Sequence, residues 1–355
     1  MEIEKIQKIE QSIENLKNKS SRIYFLVQDT KGNPRASVTQ TYEMAYSLKQ
    51  QGYNTIIIHE TKEYKGVGEW LGEKYMTLDH VSIDGQNLAL SPEDFIIIPE
   101  LYGHVMDQLK NFPCGKIVLC QAYDYMLETL PPGVNWSQYG FLKCITTSET
   151  QKEYINGIFR NVSVDVVTPV ISEHFSKKEK PAKPIIAIHT REPRDTAKII
   201  KSFYLKYPQF RWITFRDMRG INQEDFSRFL KESYLSVWVD NESGFGTFPI
   251  ESMISNTPVI GKVPNMKPEW LNENNGIWLT EFNFIIDVIS NFTQNWLEDN
   301  ISEELYDNMY QTATKYQDRE KFNNEVGELF ADYFKIRVEA FEQQLDKIKI
   351  TEENI

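Results

Sequence analysis

Apolar positions along this chain fall into two rhythms. Near the N-terminus Ile6, Ile9, Ile13 and Leu16 step by three, four and three, the stripe of a short amphipathic helix. The rhythm changes at "RIYFLVQD", Arg22 to Asp29, a β-rich run without clean alternation. Behind it "TYEMAYSLKQQGY" reads as helix, "NTIIIHE" and "DFIIIPE" as strands, "MDQLKNFP" as helix and "GKIVLCQ" as strand. "FLKCITTS" then reads as strand, "ETQKEYINGIF" as helix and "VSVDVVTPV" as strand. Strands that are apolar throughout and separated by helices predict a parallel sheet covered on both faces, hence a doubly wound α/β domain.

The pattern breaks at "ISEHFSKKEKPAKP", Ile171 to Pro184, which is charged, holds two prolines and has few apolar residues. Such a stretch predicts a linker. The alternation then restarts with "IIAIHT" (strand), "DTAKIIKSFYLKYP" (helix), "FRWITFRD" (strand), "NQEDFSRFLKESY" (helix) and "LSVWVDN" (strand). It continues through "PIESMISN" (helix), "TPVIGKV" (strand), "EWLNENNG" (helix or turn) and "IWLT" (strand). The expected organisation is an N-terminal helix over 1–20, a Rossmann-like domain over 21–170, a linker over 171–184, a second Rossmann-like domain over 185–302 and C-terminal helices over 303–355. In the tail, Phe334, Val338, Phe341, Leu345 and Ile348 step by four, three, four and three. That stripe suits packing back onto the first domain, pairing with the N-terminal helix, or a homo-oligomer contact through the terminal helices.

Charge and composition narrow the partners. With 39 Lys+Arg against 51 Asp+Glu the net charge is −12, and no basic stripe offsets it, so nucleic acid is not an expected partner. Cys114, Cys120 and Cys144 show no C-x-x-C spacing and read as reduced thiols in apolar surroundings. His59, His80, His174 and His189 lack metal-ligand spacing, and no metal site is expected. The N-terminus "MEIEKIQKIEQSIENLKNKSSR" lacks the apolar core of a secretory signal, and no apolar run approaches the roughly 20 residues that cross a bilayer. A cytoplasmic location is the expectation.

Chemistry concentrates in "NESGFGTFPIESMISNTPVIG", Asn241 to Gly261. The strand "LSVWVDN" runs into Gly244 and Gly246, and a helix opens near Pro249. Ligands of open α/β sheets collect at the carboxyl ends of strands, where a helix N-terminus offers unpaired N–H groups to an anion such as a diphosphate. Glycines let the backbone approach closely. Glu251, one turn into that helix, suits the hydroxyls of a ribose.

The stretch resembles the donor segment of GT-B glycosyltransferases, particularly the retaining family 4 enzymes, with their pattern E-G-F-G-x-x-x-x-E-A-M-x-x-G-x-P-V-I. Gly244, Phe245, Gly246, Glu251, Met253, Pro258, Val259 and Ile260 match it, and "ENNGIWL", Glu273 to Leu279, looks like the family's following N-G-x-L segment. The resemblance covers the second domain well and the first mainly by architecture. It implies two Rossmann-like doubly wound domains facing a cleft, with a C-terminal helix crossing back to the first. It also implies transfer of a sugar from a nucleotide-sugar, such as a UDP- or GDP-sugar, to an acceptor hydroxyl, with anomeric configuration retained and no cofactor or bound metal.

On that resemblance Arg191 and Arg194, in "HTREPRDTAK", correspond to the cations that hold the leaving diphosphate. The Gly244 to Thr247 turn would lend backbone donors and Glu251 would hold the ribose. One position departs: the first acid of the family's E-x7-E pair falls on Ser243, while Glu242 lies one residue earlier, so either could face the donor sugar. In place of the family's glycine-rich loop, the first domain carries "TKGNPRASV", where Arg35 adds charge. Acceptor-side candidates come from strand ends: Glu100, Tyr102 and His104 after "DFIIIPE", and Gln121 and Tyr123 after "GKIVLCQ". The acceptor stays open among a glycan, lipid-linked glycan, protein or small molecule. Two alternatives stand beside a transferase: a sugar-nucleotide epimerase of the same build, and a degenerate glycosyltransferase serving as a binding or assembly subunit.

Overall fold

The protein is described by a computed structural model covering residues 2–62, 70–84, 88–179 and 182–353. Its first sheet is built from β1 (Arg22–Val27), β2 (Asn54–His59), β3 (Asp79–Ser82), β4 (Phe95–Pro99), β5 (Gly115–Cys120), β6 (Lys143–Thr146) and β7 (Ser163–Val166). The strands pair in parallel in the order β3-β2-β1-β4-β5-β6-β7, reversing direction of travel between β1 and β4. The second sheet uses β8 (Lys183–Thr190), β9 (Thr214–Asp217), β10 (Ser233–Val239), β11 (Val259–Lys262) and β12 (Ile277–Leu279). These are also parallel, in the order β12-β11-β10-β8-β9, with the reversal between β8 and β10.

The continuous apolar runs have a direct cause. β4 and β10 are buried at every residue because helices cover both faces of each sheet. Two apolar clusters flank the first sheet and two the second. Helices α2 (Ala36–Gln50), α3 (Gly103–Leu109), α4 (Tyr123–Thr129) and α5 (Glu149–Ile158) connect strands of the first domain. In the second, α6 (Pro193–Lys206), α7 (Gln223–Glu232) and α8 (Thr247–Ile254) do so, and α9 (Ile285–Leu297) follows the last strand. The apolar rhythm does not reveal β3 or α4. "DHVS" is an edge strand with one neighbour and no fully buried residue, and "YDYMLET" is a two-turn helix too short to carry a period. "EWLNENNG" is turn rather than helix, closed by Asn275 Nδ2 and Asn272 Nδ2, which both donate to the Trp270 carbonyl.

The expected linker is bolted down. Ile171 and Phe175 are buried in the second domain's core, and Lys178 Nζ donates to Ser233 O (2.8 Å) and Thr257 Oγ1 (3.3 Å). Burial brings that ammonium's pKa down to about 8. The chain returns through α10 (Glu303–Ala313), which packs on α8, and α11 (Arg319–Glu353), which lies against α2 and the N-terminal α1 (Glu2–Lys17). At 35 residues α11 is about 52 Å long. Gly327 lets it approach the C-terminus of α2, since a Cβ there would overlap the Gln51 carboxamide, which donates to Asn323 O at 2.8 Å. Phe334, Phe341 and Leu345 are buried with Ile9 and Leu16, and Val338 and Ile348 pack on the same cluster. The tail stripe is therefore used within the chain. No helix among the described residues is long and apolar enough to cross a membrane.

The two crossings between domains are tied together. Ile171 N donates to Tyr316 O (2.8 Å), and Gln317 Nε2 donates to Ser172 O (3.1 Å) and Phe175 O (2.9 Å). Beside them Arg319 forks onto Glu43, which is 1% exposed and also accepts from Tyr75 OH at 2.5 Å. This is the hinge. The cleft lies on the side where the carboxyl ends of both sheets meet.

Candidate active site

The second domain's wall of the cleft is the turn Asn241–Gly246 between β10 and α8. Gly246 adopts a left-handed conformation (φ 77°) and caps α8, whose first N–H groups receive no side-chain cap. Gly244 has another reason to be glycine. A Cβ there would fall on the carboxamide of Gln151, at the start of α5, so the first domain packs directly on this turn. Phe245 turns its ring into the core, edge-on to Tyr316, while its carbonyl accepts from Trp270 Nε1 at 2.7 Å. Thr247 opens α8 and is half-buried. Lys262 Nζ, at the end of β11, donates to Asn241 Oδ1 (2.5 Å), and Asn265 N to Asn241 O (2.8 Å), which fixes the turn from behind.

Glu251 sits on the second turn of α8 and keeps part of its surface exposed. Among the described residues its carboxyl has no hydrogen-bond partner, and burial pushes its pKa up to about 8. Protonated, it carries one O–H donor, and on ionising it becomes acceptor-only through both oxygens. Ser243 Oγ lies toward Gly246, 3.5 Å from where a Cβ on that glycine would sit. Glu242 is the residue that reaches the cleft: it accepts from Tyr123 OH of the first domain and from Asn265 Nδ2 (2.9 Å). Burial and the bond to Glu242 both raise the Tyr123 phenol's pKa, so it stays a donor.

Arg191 follows β8, where its N–H donates to Val239 O (2.9 Å). Its guanidinium meets Asp124 of the first domain through Nη2, lies 3.5 Å from Asp240 Oδ1 through Nη1, and stacks 5.1 Å from the Tyr125 ring centre. Burial works against its charge, but Asp240 and Asp124 outweigh that and keep it firmly protonated. Burial raises the pKa of both acids, against the pull of Arg191. Arg194, in the first turn of α6, is exposed and has no ion pair or hydrogen bond among the described residues.

The first domain's candidates divide. Tyr123 is at the cleft. Gln121 is beside it but donates inward to Ser37 O (2.9 Å), and its carbonyl accepts from Gln151 Nε2 (3.1 Å). Glu100 does not face the cleft: it is 3% exposed, and its two oxygens accept from the N–H groups of Gln121 (3.2 Å) and Ala122 (3.0 Å). Burial raises its pKa to about 7, and its role is to hold the entry to α4. Tyr102 is buried and donates to Glu60, while His104 is exposed with its ring 5.9 Å from the Tyr102 ring. These two lie after β4 and make no hydrogen bond to Tyr123 or Glu242 among the described residues. Arg35 is exposed before α2 and reaches Gln28 Oε1 at 3.4 Å.

The residues that sequence reasoning missed are Asp124, Asp240, Lys262 and Asn265. Asp240 and Lys262 stand at strand ends, the position that flagged the acceptor-side candidates. Asp124 begins a helix that carried no periodic signal. The assembled mouth holds one paired arginine, two acids on it, a third acid in Glu242, and an unpartnered carboxyl in Glu251. It can bind a polar ligand through helix α8 and Glu251. An anion at Arg191 must compete with carboxylates already there. Among the described residues no group of three or more His, Cys, Asp or Glu side chains is placed to hold a metal ion.

No protein-family model matches the chain, and no curated protein sequence matches it significantly. Solved structures do. Sucrose-phosphate synthase from Thermosynechococcus elongatus superposes with a TM-score of 0.64 at 12% identity, covering 89% of this chain and 100% of that one. HepE from Anabaena, in complex with UDP and glucose, gives 0.67 at 13% identity over 87% of this chain and 99% of its own. The pneumococcal O-GlcNAc transferase GtfA, in complex with UDP and GlcNAc, gives 0.55 at 10% identity over 92% and 99%. Near-complete coverage of both partners at such low identity establishes the fold. The two parallel sheets facing a cleft, with the tail helix returned to the first domain, are the GT-B architecture.

Proposed function

We propose that this protein transfers a sugar from a nucleotide-sugar to an acceptor hydroxyl, with retention of anomeric configuration. The reading is carried by Arg191 directly after β8 and, following β10, the uncapped start of α8 with the unpartnered Glu251 one turn on, in a GT-B fold. Arg191 and Arg194 hold the diphosphate, the Gly244–Thr247 turn supplies backbone donors, and Glu251 takes the ribose hydroxyls as a carboxylate. Glu242 faces the sugar in preference to Ser243, because its carboxylate already reaches the cleft. The bond from the anomeric carbon to the phosphate oxygen breaks as the acceptor oxygen attacks from the same face. The acceptor's proton passes to the leaving phosphate oxygen. The UDP-bound state of HepE and GtfA makes a uridine nucleotide the first donor to try. The domain limits follow the same reading, with acceptor-side residues in 21–170 and donor-side residues in 185–302.

A thermal-shift screen of UDP, GDP, ADP, CMP and their sugar conjugates tests this: one nucleotide class should stabilise the protein in proportion to occupancy. Arg191→Ala and Arg194→Ala together should slow transfer. Normal turnover by the double variant ends the phosphate assignment. The excess of acid around Arg191, with Ser243 in place of an acid, favours a second reading as a binding or assembly subunit. Absence of any nucleotide-induced stabilisation would select it. A donor isomerised in the absence of acceptor would select the epimerase.

A further inference from the structure

Arg191 is the cation assigned to the donor diphosphate, yet its guanidinium is already engaged by a carboxylate from the opposite domain. Asp124 Oδ2 meets Nη2, while Asp240 of its own domain lies 3.5 Å from Nη1. Two acids face one cation, so the seat carries net negative charge and would repel a diphosphate as it stands. An arginine–carboxylate pair frequently uses both carboxylate oxygens in a fork, which adds energy. Asp124 uses one. Its Oδ1 is buried and has no hydrogen-bond partner among the described residues. A buried acceptor left unmade is a standing cost to this arrangement.

The backbone that carries Asp124 is held in place. Asp124 lies in the first turn of α4, directly after Gln121 and Ala122, whose N–H groups are fixed by the buried Glu100. Releasing Arg191 therefore means turning the Asp124 side chain away or parting the two walls of the cleft. A carboxylate and a phosphate offer an arginine the same pair of anionic oxygens.

We propose that Asp124 is a resident stand-in for the donor phosphate: without nucleotide it occupies Arg191 and closes the mouth of the cleft, and an incoming diphosphate displaces it. Loading the donor and opening the Asp124–Arg191 contact are then one event, and Asp124 sets how tightly the donor is held. This rests on the reading of Arg191 as the diphosphate cation.

The test titrates UDP, GDP and inorganic pyrophosphate calorimetrically into the full chain and three variants. Asp124→Asn removes the competing charge and should tighten binding by about tenfold, which a merely structural role would not do. Thr150→Ala removes another contact between the domains, the Thr150 Oγ1 bond to Lys267 O at 3.0 Å, without touching Arg191, and should leave affinity unchanged. Arg191→Ala should weaken binding. If Asp124→Asn binds no more tightly while Arg191→Ala binds less, the stand-in is wrong and the phosphate seat survives. Equal tightening in Asp124→Asn and Thr150→Ala would mean general loosening of the interface and also overturns it. If Arg191→Ala binds like the natural chain, the seat itself is wrong and the stand-in falls with it. If neither the natural chain nor Asp124→Asn binds any of the three probes, both ideas are overturned.

Discussion

At the hinge and at the mouth an arginine meets a carboxylate: Arg319 opens the helix that returns to the first domain and meets Glu43 beside the chain crossings, whereas Arg191 meets Asp124 across the gap between the domains. At the hinge Arg319 forks onto Glu43, one cation for one anion, with Glu43 at 1% side-chain exposure and Tyr75 completing its bonds. At the mouth Arg191 is shared by Asp124 and Asp240, each 19% exposed, and one Asp124 oxygen is left over. A matched, fully bonded pair among ties onto backbone carbonyls suits a joint that stays closed. An overcrowded, incompletely bonded one suits a contact that is exchanged for a ligand. The same pair of residue types thus serves permanence in one place and turnover in the other, and the count of partners separates them.

The sharpest way to break this comparison is to remove one charged member of each ion pair. Arg319→Ala strands Glu43 in the interior and should destabilise the protein by about 3 kcal/mol in urea unfolding. Asp124→Asn leaves Arg191 with Asp240 and should change stability by about 1 kcal/mol or less. Equal losses would erase the distinction between hinge and mouth.

A smaller effect comes from Glu251, the mouth's unpartnered acid. Its pKa of about 8 in the ligand-free protein means that folding keeps a proton an unfolded carboxyl would lose, so this group's contribution to stability declines from about pH 4.5 to pH 8. Ribose hydroxyls donating to the carboxylate favour its ionised form, so nucleotide affinity should rise with pH, by about fivefold from pH 7 to pH 8. Glu251→Gln should flatten that dependence, and a slope that survives the substitution assigns the proton to another group. The smallest effect is expected at Ser243, whose hydroxyl lies toward Gly246. Ser243→Ala should alter nucleotide-sugar affinity by less than about twofold, as for a side chain away from special features. Glu242→Gln should mainly lower turnover. The reverse order of effects would return the sugar to Ser243.

How far the sequence carried these points depends on the range of the signal. Runs such as "DFIIIPE" and "LSVWVDN" are visible because central parallel strands are buried on both faces, a local compositional fact. The terminal stripes are visible because one face of a helix is buried, so that Phe334, Phe341 and Leu345 fall on one cluster. β3 was hidden because an edge strand can be polar. At the site, Arg191 and Glu242 come from the family resemblance, while strand-end logic proposes Tyr123 at the cleft but also Glu100, because a strand end does not say whether its carboxylate turns outward or back under the next helix. Asp124 is separated from Arg191 by 67 residues, and no local pattern encodes a pairing that forms only when two domains meet. At Gly244 the close approach of Gln151 from the other domain is a second reason for glycine that no local pattern encodes.

The most direct test of the account is a crystal structure of the protein grown with UDP or GDP. The account predicts the diphosphate on Arg191 and the start of α8, the ribose hydroxyls on Glu251, and Asp124 withdrawn from the guanidinium. A nucleotide bound elsewhere, with Asp124 still on Arg191, would contradict it.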